Sequence, residues 1–144
     1  MKGTGNVMLL VEDNPGDVRL VKEALRDLGY AAVVHAAADG EEAMAFLRRQ
    51  GSYAEAPRPE IIVLDLNLPK KDGREVLTEI KADRELRRIP VVVLTTSASK
   101  EDILRAYDLH ANCYMTKPVE LQALLTTIRA IVTFWMEHVT LPPD

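Results

Sequence analysis

The chain has a single cysteine, Cys113, so no internal disulfide can close a loop and no thiolate cluster can hold zinc. It reads as a small buried hydrophobe. The three histidines, His35, His110 and His138, show no metal-ligand spacing and look incidental. No run approaches the roughly 20 apolar residues that cross a bilayer. The start, MKGTGNV, lacks the basic end and apolar core of a secretory signal, which leaves the cytoplasm as the expected compartment. Positive charge is also short: 18 Lys and Arg against 22 Asp and Glu give −4, the wrong sign for a nucleic-acid surface. Internal repeats and low-complexity tracts are missing. The remaining 47% apolar and 28% charged content suits one globular domain with one sizeable core.

What is present is an alternation. Short apolar runs lie at 7–11, 61–64, 91–94 and 112–115, with a weaker one at 32–36. Each is bounded by turn or charge signals, as for strands buried on both faces. Helical patterns fall between them. Pro15 suits a first turn and is followed by Val18, Val21, Leu25 and Leu28, with Gly29 as the stop. Asp39 and Glu42 have capping-box-like spacing before Ala43, Phe46 and Leu47; Ser99 and Asp102 form a capping box before Ile103, Leu104 and Tyr107. Asp72-Gly73 opens a helix carrying Val76, Leu77 and Ile80. The last helix has Leu121, Leu124, Leu125, Ile128, Val132 and Trp135 at helical spacing. Five β-α units in a row predict a doubly wound parallel sheet with helices on both faces and right-handed crossovers. Residues 51–59, rich in Gly, Ser and Pro, are the one long loop.

In a parallel sheet the carboxyl ends of all strands share one rim, where open α/β folds bind ligands. Strand one ends in Glu12-Asp13, strand three in Asp65, strand four in Thr95-Thr96, and strand five leads into Lys117-Pro118. If strands one and three are neighbours, three carboxylates meet. Two unit charges ~4 Å apart repel by roughly 4 kcal/mol at an effective dielectric of ~20. Such a cluster holds either a proton or a cation, and an all-oxygen set with few carboxylates favours Mg²⁺. Lys117 and the Thr95 hydroxyl add partners for phosphoryl oxygens.

The segments LLVEDNPGD, IIVLDLNLPKKDG, IPVVVLTTS and YMTKP resemble the receiver domain of two-component response regulators, from about Val7 to about Glu137. More narrowly, ANCYMTKP and WMEHVTLP look like the single-domain regulators paired with bacterial phytochromes. The resemblance implies a flavodoxin-like (βα)5 fold with strand order 2-1-3-4-5. It implies that Asp65 accepts a phosphoryl group from the phosphohistidine of a sensor kinase, as a carboxylate nucleophile. Asp13 would ligate Mg²⁺ directly, Glu12 through water, and Asn67 through its backbone carbonyl. The Asn67 side chain would lie near the phosphoryl group, Thr95 would hydrogen-bond it, Thr96 would offer a backbone N–H and Lys117 would pair with it. Pro118 would follow a cis bond that aims Lys117 inward. Tyr114 takes the place of the aromatic switch, coupled to Thr95. An acidic pair after a strand also reads as a helix start, and Asp13 could serve there. Asn67 equally suits a turn before Pro69. His110 departs from the Gly usual in the broad family, at a cost of order 1 kcal/mol if its φ is positive.

Four rivals weigh less. A receiver that has lost phosphorylation and serves only as an interaction module is disfavoured because every acid and the Lys remain. A haloacid-dehalogenase-like phosphatase needs a second acid two residues after its nucleophile, where Asn67 stands, and puts its motif on strand one. A flavin carrier needs a hydroxyl-rich loop where EDNPGD is acidic. An intermediate carrier in a phosphorelay would share the chemistry and differ only in its target. The expected division is a receiver over 1–137 and a tail over 138–144. With no DNA-binding segment, output is expected through a contact with a downstream protein. Val139 and Leu141 extend the apolar stripe of the last helix, and Phe134 lies on another side. The fourth and fifth helices with this arm are therefore the expected face of a homodimer, unless the tail folds back over its own domain.

Overall fold

In a computed structural model that describes residues 6–143, five strands alternate with five helices. The strands are β1 (Val7–Val11), β2 (Val33–Ala37), β3 (Ile61–Leu64), β4 (Val91–Thr95) and β5 (Cys113–Thr116). The helices are α1 (Pro15–Asp27), α2 (Gly40–Leu47), α3 (Gly73–Ala82), α4 (Lys100–Asp108) and α5 (Leu121–Thr133). Every strand pairing is parallel and the order is β2-β1-β3-β4-β5, as expected. β1, β3 and β4 are buried along their whole length, which explains their unbroken apolar sequences. The edges β2 and β5 are only part-buried, and their bounds fall one residue later than the sequence suggested.

Alternate side chains of each central strand enter opposite layers. Leu9, Val11, Ile62, Leu64, Val91 and Val93 meet α2 and α3 through Met44, Phe46, Leu77 and Ile80. Met8, Leu10, Ile61, Val63, Val92 and Leu94 meet α1 and α5 through Val21, Leu25, Ile128 and Val132. Cys113 is part-buried against this second layer, and burial raises its thiol pKa.

The helix signals act much as read, with two corrections. Asn14, not Asp13, caps α1, its Oδ1 accepting from Gly16 N–H at 2.9 Å and Asp17 N–H at 3.2 Å. The Ser99–Asp102 box forms by half. Ser99 Oγ accepts from Asp102 N–H at 3.1 Å, but the Asp102 carboxylate turns to Arg74 and Ser97, which offer charge-assisted bonds. Gly29 at φ 81° and His110 at φ 71° take the left-handed positions that end α1 and α4. Helix α4 buries only Ala106.

At the C-terminus, Trp135 and Met136 are buried in the second layer, and Val139 and Leu141 pack against it. The two tail residues expected to run past the sheet therefore fold back. A wide turn at Phe134–His138, closed by Val139 N–H on the Phe134 carbonyl at 3.0 Å, redirects the chain. Residues 1–5 of the expected receiver span and Asp144 of the tail lie outside the described residues. Among the described residues no helix is long and apolar enough to cross a membrane.

Candidate phosphoryl-acceptor site

The carboxyl rim is assembled by the ladder itself. Glu12 N–H donates to the Ala37 carbonyl at 2.9 Å, Asp65 N–H to Val11 at 3.0 Å and Lys117 N–H to Thr95 at 2.6 Å. Strand pairing thus carries these residues one step past the apolar runs and fixes their spacing. Gly73 lets α3 start against this rim: a Cβ there would sit 2.3 Å from the Asp65 carbonyl oxygen and 2.6 Å from Leu66 Cα.

Glu12, Asp13 and Asp65 each present an oxygen, all within 4.8 Å of one another. Glu12, Asp65, Thr95 and Lys117 are buried, while Asp13 is exposed at the mouth. Lys117 Nζ donates to Glu12 Oε1 at 2.5 Å, Asp17 Oδ2 at 2.9 Å and Asp65 Oδ2 at 3.1 Å. Asp65 Oδ1 accepts from Asn67 N–H at 3.0 Å, and Asn67 Nδ2 lies 3.5 Å from Thr95 Oγ1. Burial pushes the Glu12 carboxyl up to about 7, against the pull of Lys117 and with added repulsion from Asp65. For Lys117 burial works downward, but hydrogen bonds to Glu12 and Asp17 outweigh it and its pKa is raised. One ammonium cannot balance four carboxylates. The surplus negative charge, hard-oxygen donors and short span suit a divalent cation on Glu12, Asp13 and Asp65.

The remaining expected residues divide. Asn67 and Thr96 are exposed beside the rim. Tyr114 is part-buried, its hydroxyl donating to the Ser97 carbonyl at 2.8 Å, and its N–H donates to Tyr107 Oη at 3.2 Å. The bond before Pro118 is trans, since no cis peptide occurs among the described residues. Lys117 points inward regardless, because three carboxylates hold it there.

Two features escaped the sequence reading. Asp17 joins the site as a third acceptor for Lys117. An acid in the first turn of a helix is the ordinary complement to the helix dipole, so its residue type carried no warning. Arg74 joins α3 to α4, its Nε and Nη2 gripping Asp102 at 3.0 and 2.8 Å while Nη1 reaches the Leu66 carbonyl at 3.3 Å. Ser97 Oγ donates to Asp102 at 2.6 Å. These bonds hold the Asp102 carboxyl at about 2. No local spacing relates Arg74 to Asp102.

A rim of this composition on a sheet of this order defines a class of signalling domain. The response regulator receiver domain model matches residues 8–129, and the chain belongs to that family. Response regulator Rcp1 of Synechocystis sp. is 54% identical over 136 residues, covering 94% of this chain and 92% of Rcp1. Among solved structures, the Mn²⁺-bound form of Rcp1 superposes with a TM-score of 0.94 at 53% identity, covering 96% of this chain and 99% of that one. The phosphorylated cyanobacterial phytochrome response regulator RcpA gives 0.92 at 54% identity, with the same coverage. The chain is a receiver domain homologous to phytochrome response regulators.

Proposed function

We propose that the chain is a cytoplasmic phosphorylation switch in which Asp65 accepts a phosphoryl group from the phosphohistidine of a sensor kinase, with Mg²⁺ as the working cation. One observation carries this reading: a buried carboxylate at a strand end is flanked by an ammonium, a hydroxyl and two further acids. An Asp65 oxygen bonds to phosphorus as the P–N bond breaks, and the imidazole leaves with that electron pair. Lys117 Nζ, Thr95 Oγ1 and the Thr96 N–H take the phosphoryl oxygens. Asp13, Asp65 and the Asn67 carbonyl would hold the cation directly, and Glu12 would act through water. A bound cation supplies positive charge opposite the transferring oxygens. Phosphotransfer and later hydrolysis need no other enzyme.

The likeness to RcpA supports a kinase of the phytochrome kind as donor. Exposed Leu104, Tyr107, Leu121 and Phe134 support a homodimer through α4, α5 and the start of the arm. The receiver body is residues 1–137 and the arm 138–144. Output passes through Thr95 and Tyr114 to a downstream protein. Mass spectrometry after acetyl phosphate and Mg²⁺ treatment tests the reading. The wild type is expected to gain one base-labile phosphoryl group, and Asp65→Asn none. An adduct that persists in Asp65→Asn, or rapid turnover without labelled protein, rejects it.

A further inference from the structure

An ammonium has three N–H donors, and those of Lys117 are divided among three carboxylates. Two of these, Glu12 and Asp65, belong to the trio that suits a cation; Asp17 lies outside it. A cation on that trio would draw on the oxygens that now hold the ammonium and would repel it. Asp17 is then the acceptor left to keep Lys117 at the site. Its position does not depend on the trio, because the Asn14 cap accepts its backbone N–H in the first turn of α1. It also sits nearer the surface, its side chain 19% accessible against 4% for Glu12 and 8% for Asp65.

Resting on the reading of Asp65 as the phosphoryl acceptor, we infer that Asp17 is a positioning residue for Lys117. It anchors the ammonium by one N–H and leaves two for the oxygens of a phosphoryl group on Asp65. Complementing the helix dipole would account for an acid in this turn. It would not account for a carboxylate oxygen 2.9 Å from an ammonium that lies 100 residues away in sequence. Without the anchor, a long flexible side chain must be ordered during the transfer itself, which slows the step.

Asp17→Asn removes the charge and keeps the size; Asp17→Glu keeps the charge. The first measurement is ¹⁵N NMR of the Lys117 ammonium in metal-free protein, which requires no phosphotransfer. Exchange of its protons with water is expected to quicken about tenfold in Asp17→Asn and to return toward wild type in Asp17→Glu. The second is the rate of Asp65 phosphorylation by acetyl phosphate at saturating Mg²⁺. It is expected to fall about tenfold in Asp17→Asn with KM unchanged, again recovering in Asp17→Glu. Thermal melts confirm that each variant is folded. An unchanged ammonium signal overturns the inference, and so does a loosened ammonium with an unchanged rate. If the wild type takes no phosphoryl group, the acceptor reading fails instead, while the NMR arm still reports whether Asp17 holds Lys117.

Discussion

Glu12 is where chemistry and stability pull against each other most openly. Burial raises its carboxyl to about 7, so near neutral pH proton and cation compete for the same oxygens. The raised value means that ionising Glu12 costs stability as pH climbs from about 4.5 to about 7. A cation relieves that cost, so its stabilising effect should grow with pH over the same interval. Melts with and without millimolar Mg²⁺ check this: the gain should be larger at pH 8 than at pH 6, and Asp13→Ala should abolish most of it. A gain independent of pH would rule Glu12 out as the competing group. Gly73 is the second sensitive residue. A Cβ would strike the backbone of Asp65 and Leu66, so Gly73→Ala should destabilise by about 1–3 kcal/mol in urea unfolding. Asp65 and Thr95 were legible because each directly follows an apolar run, Lys117 because it comes two residues after one, and strand pairing brought them together. Asp17 was not, because its role depends on a lysine 100 residues away.

The joint between α3 and α4 is electrostatic, an ion pair of Arg74 with Asp102. Helix α4 buries one residue, so the grip of Arg74 on Asp102 is much of what seats it. Through the Leu66 carbonyl on one side and Ser97 on the other, that pair links the loop after Asp65 to the loop after β4, where the Ser97 carbonyl accepts from the Tyr114 hydroxyl. The Asp102 carboxyl falls from 3.8 to about 2, and its first cause is the hydrogen bond from Arg74. A depressed carboxyl stabilises above the unfolded value and loses that contribution as pH falls from about 4 to about 2. The loss is on the order of 2 kcal/mol. Between those pH values wild type should therefore lose more stability than Asp102→Asn, as urea midpoints will show. In the same variant, phosphorylation of Asp65 should proceed while NMR shifts of Tyr114 and residues 99–109 respond less. Equal responses would make the pair purely structural. This joint was hidden because the Ser99–Asp102 spacing already had a local explanation. A capping box and an interhelical ion pair compete for one carboxylate, and the guanidinium won.

For the molecule as a whole, the tail decides what surface is left for a partner. The parallel sheet and its two helical layers followed from the apolar runs and the strand order from the resemblance to receivers, but the course of the chain after α5 followed from neither, since helical spacing cannot announce a wide turn. That turn covers the core with Trp135 and Met136 and brings Val139 and Leu141 back onto it. A dimer can therefore use less of the arm than the stripe suggested. On α4, α5 and the turn that follows, the large apolar side chains left open are Leu104 at 58%, Tyr107 at 49%, Leu121 at 59% and Phe134 at 54% accessible. Ending the chain at Thr133 would be a poor test of pairing, because it deletes a buried tryptophan. Loss of such a side chain costs about 3–5 kcal/mol. The double substitution Leu121→Ser with Phe134→Ser touches only exposed positions and should leave the melting temperature within about 2 °C. Light scattering on the full chain should show a dimer that becomes monomeric in this variant, with or without phosphorylation. A full chain that stays monomeric at high concentration would mean that the folded-back tail satisfies the arm within one copy. These four residues would then be free for the downstream protein.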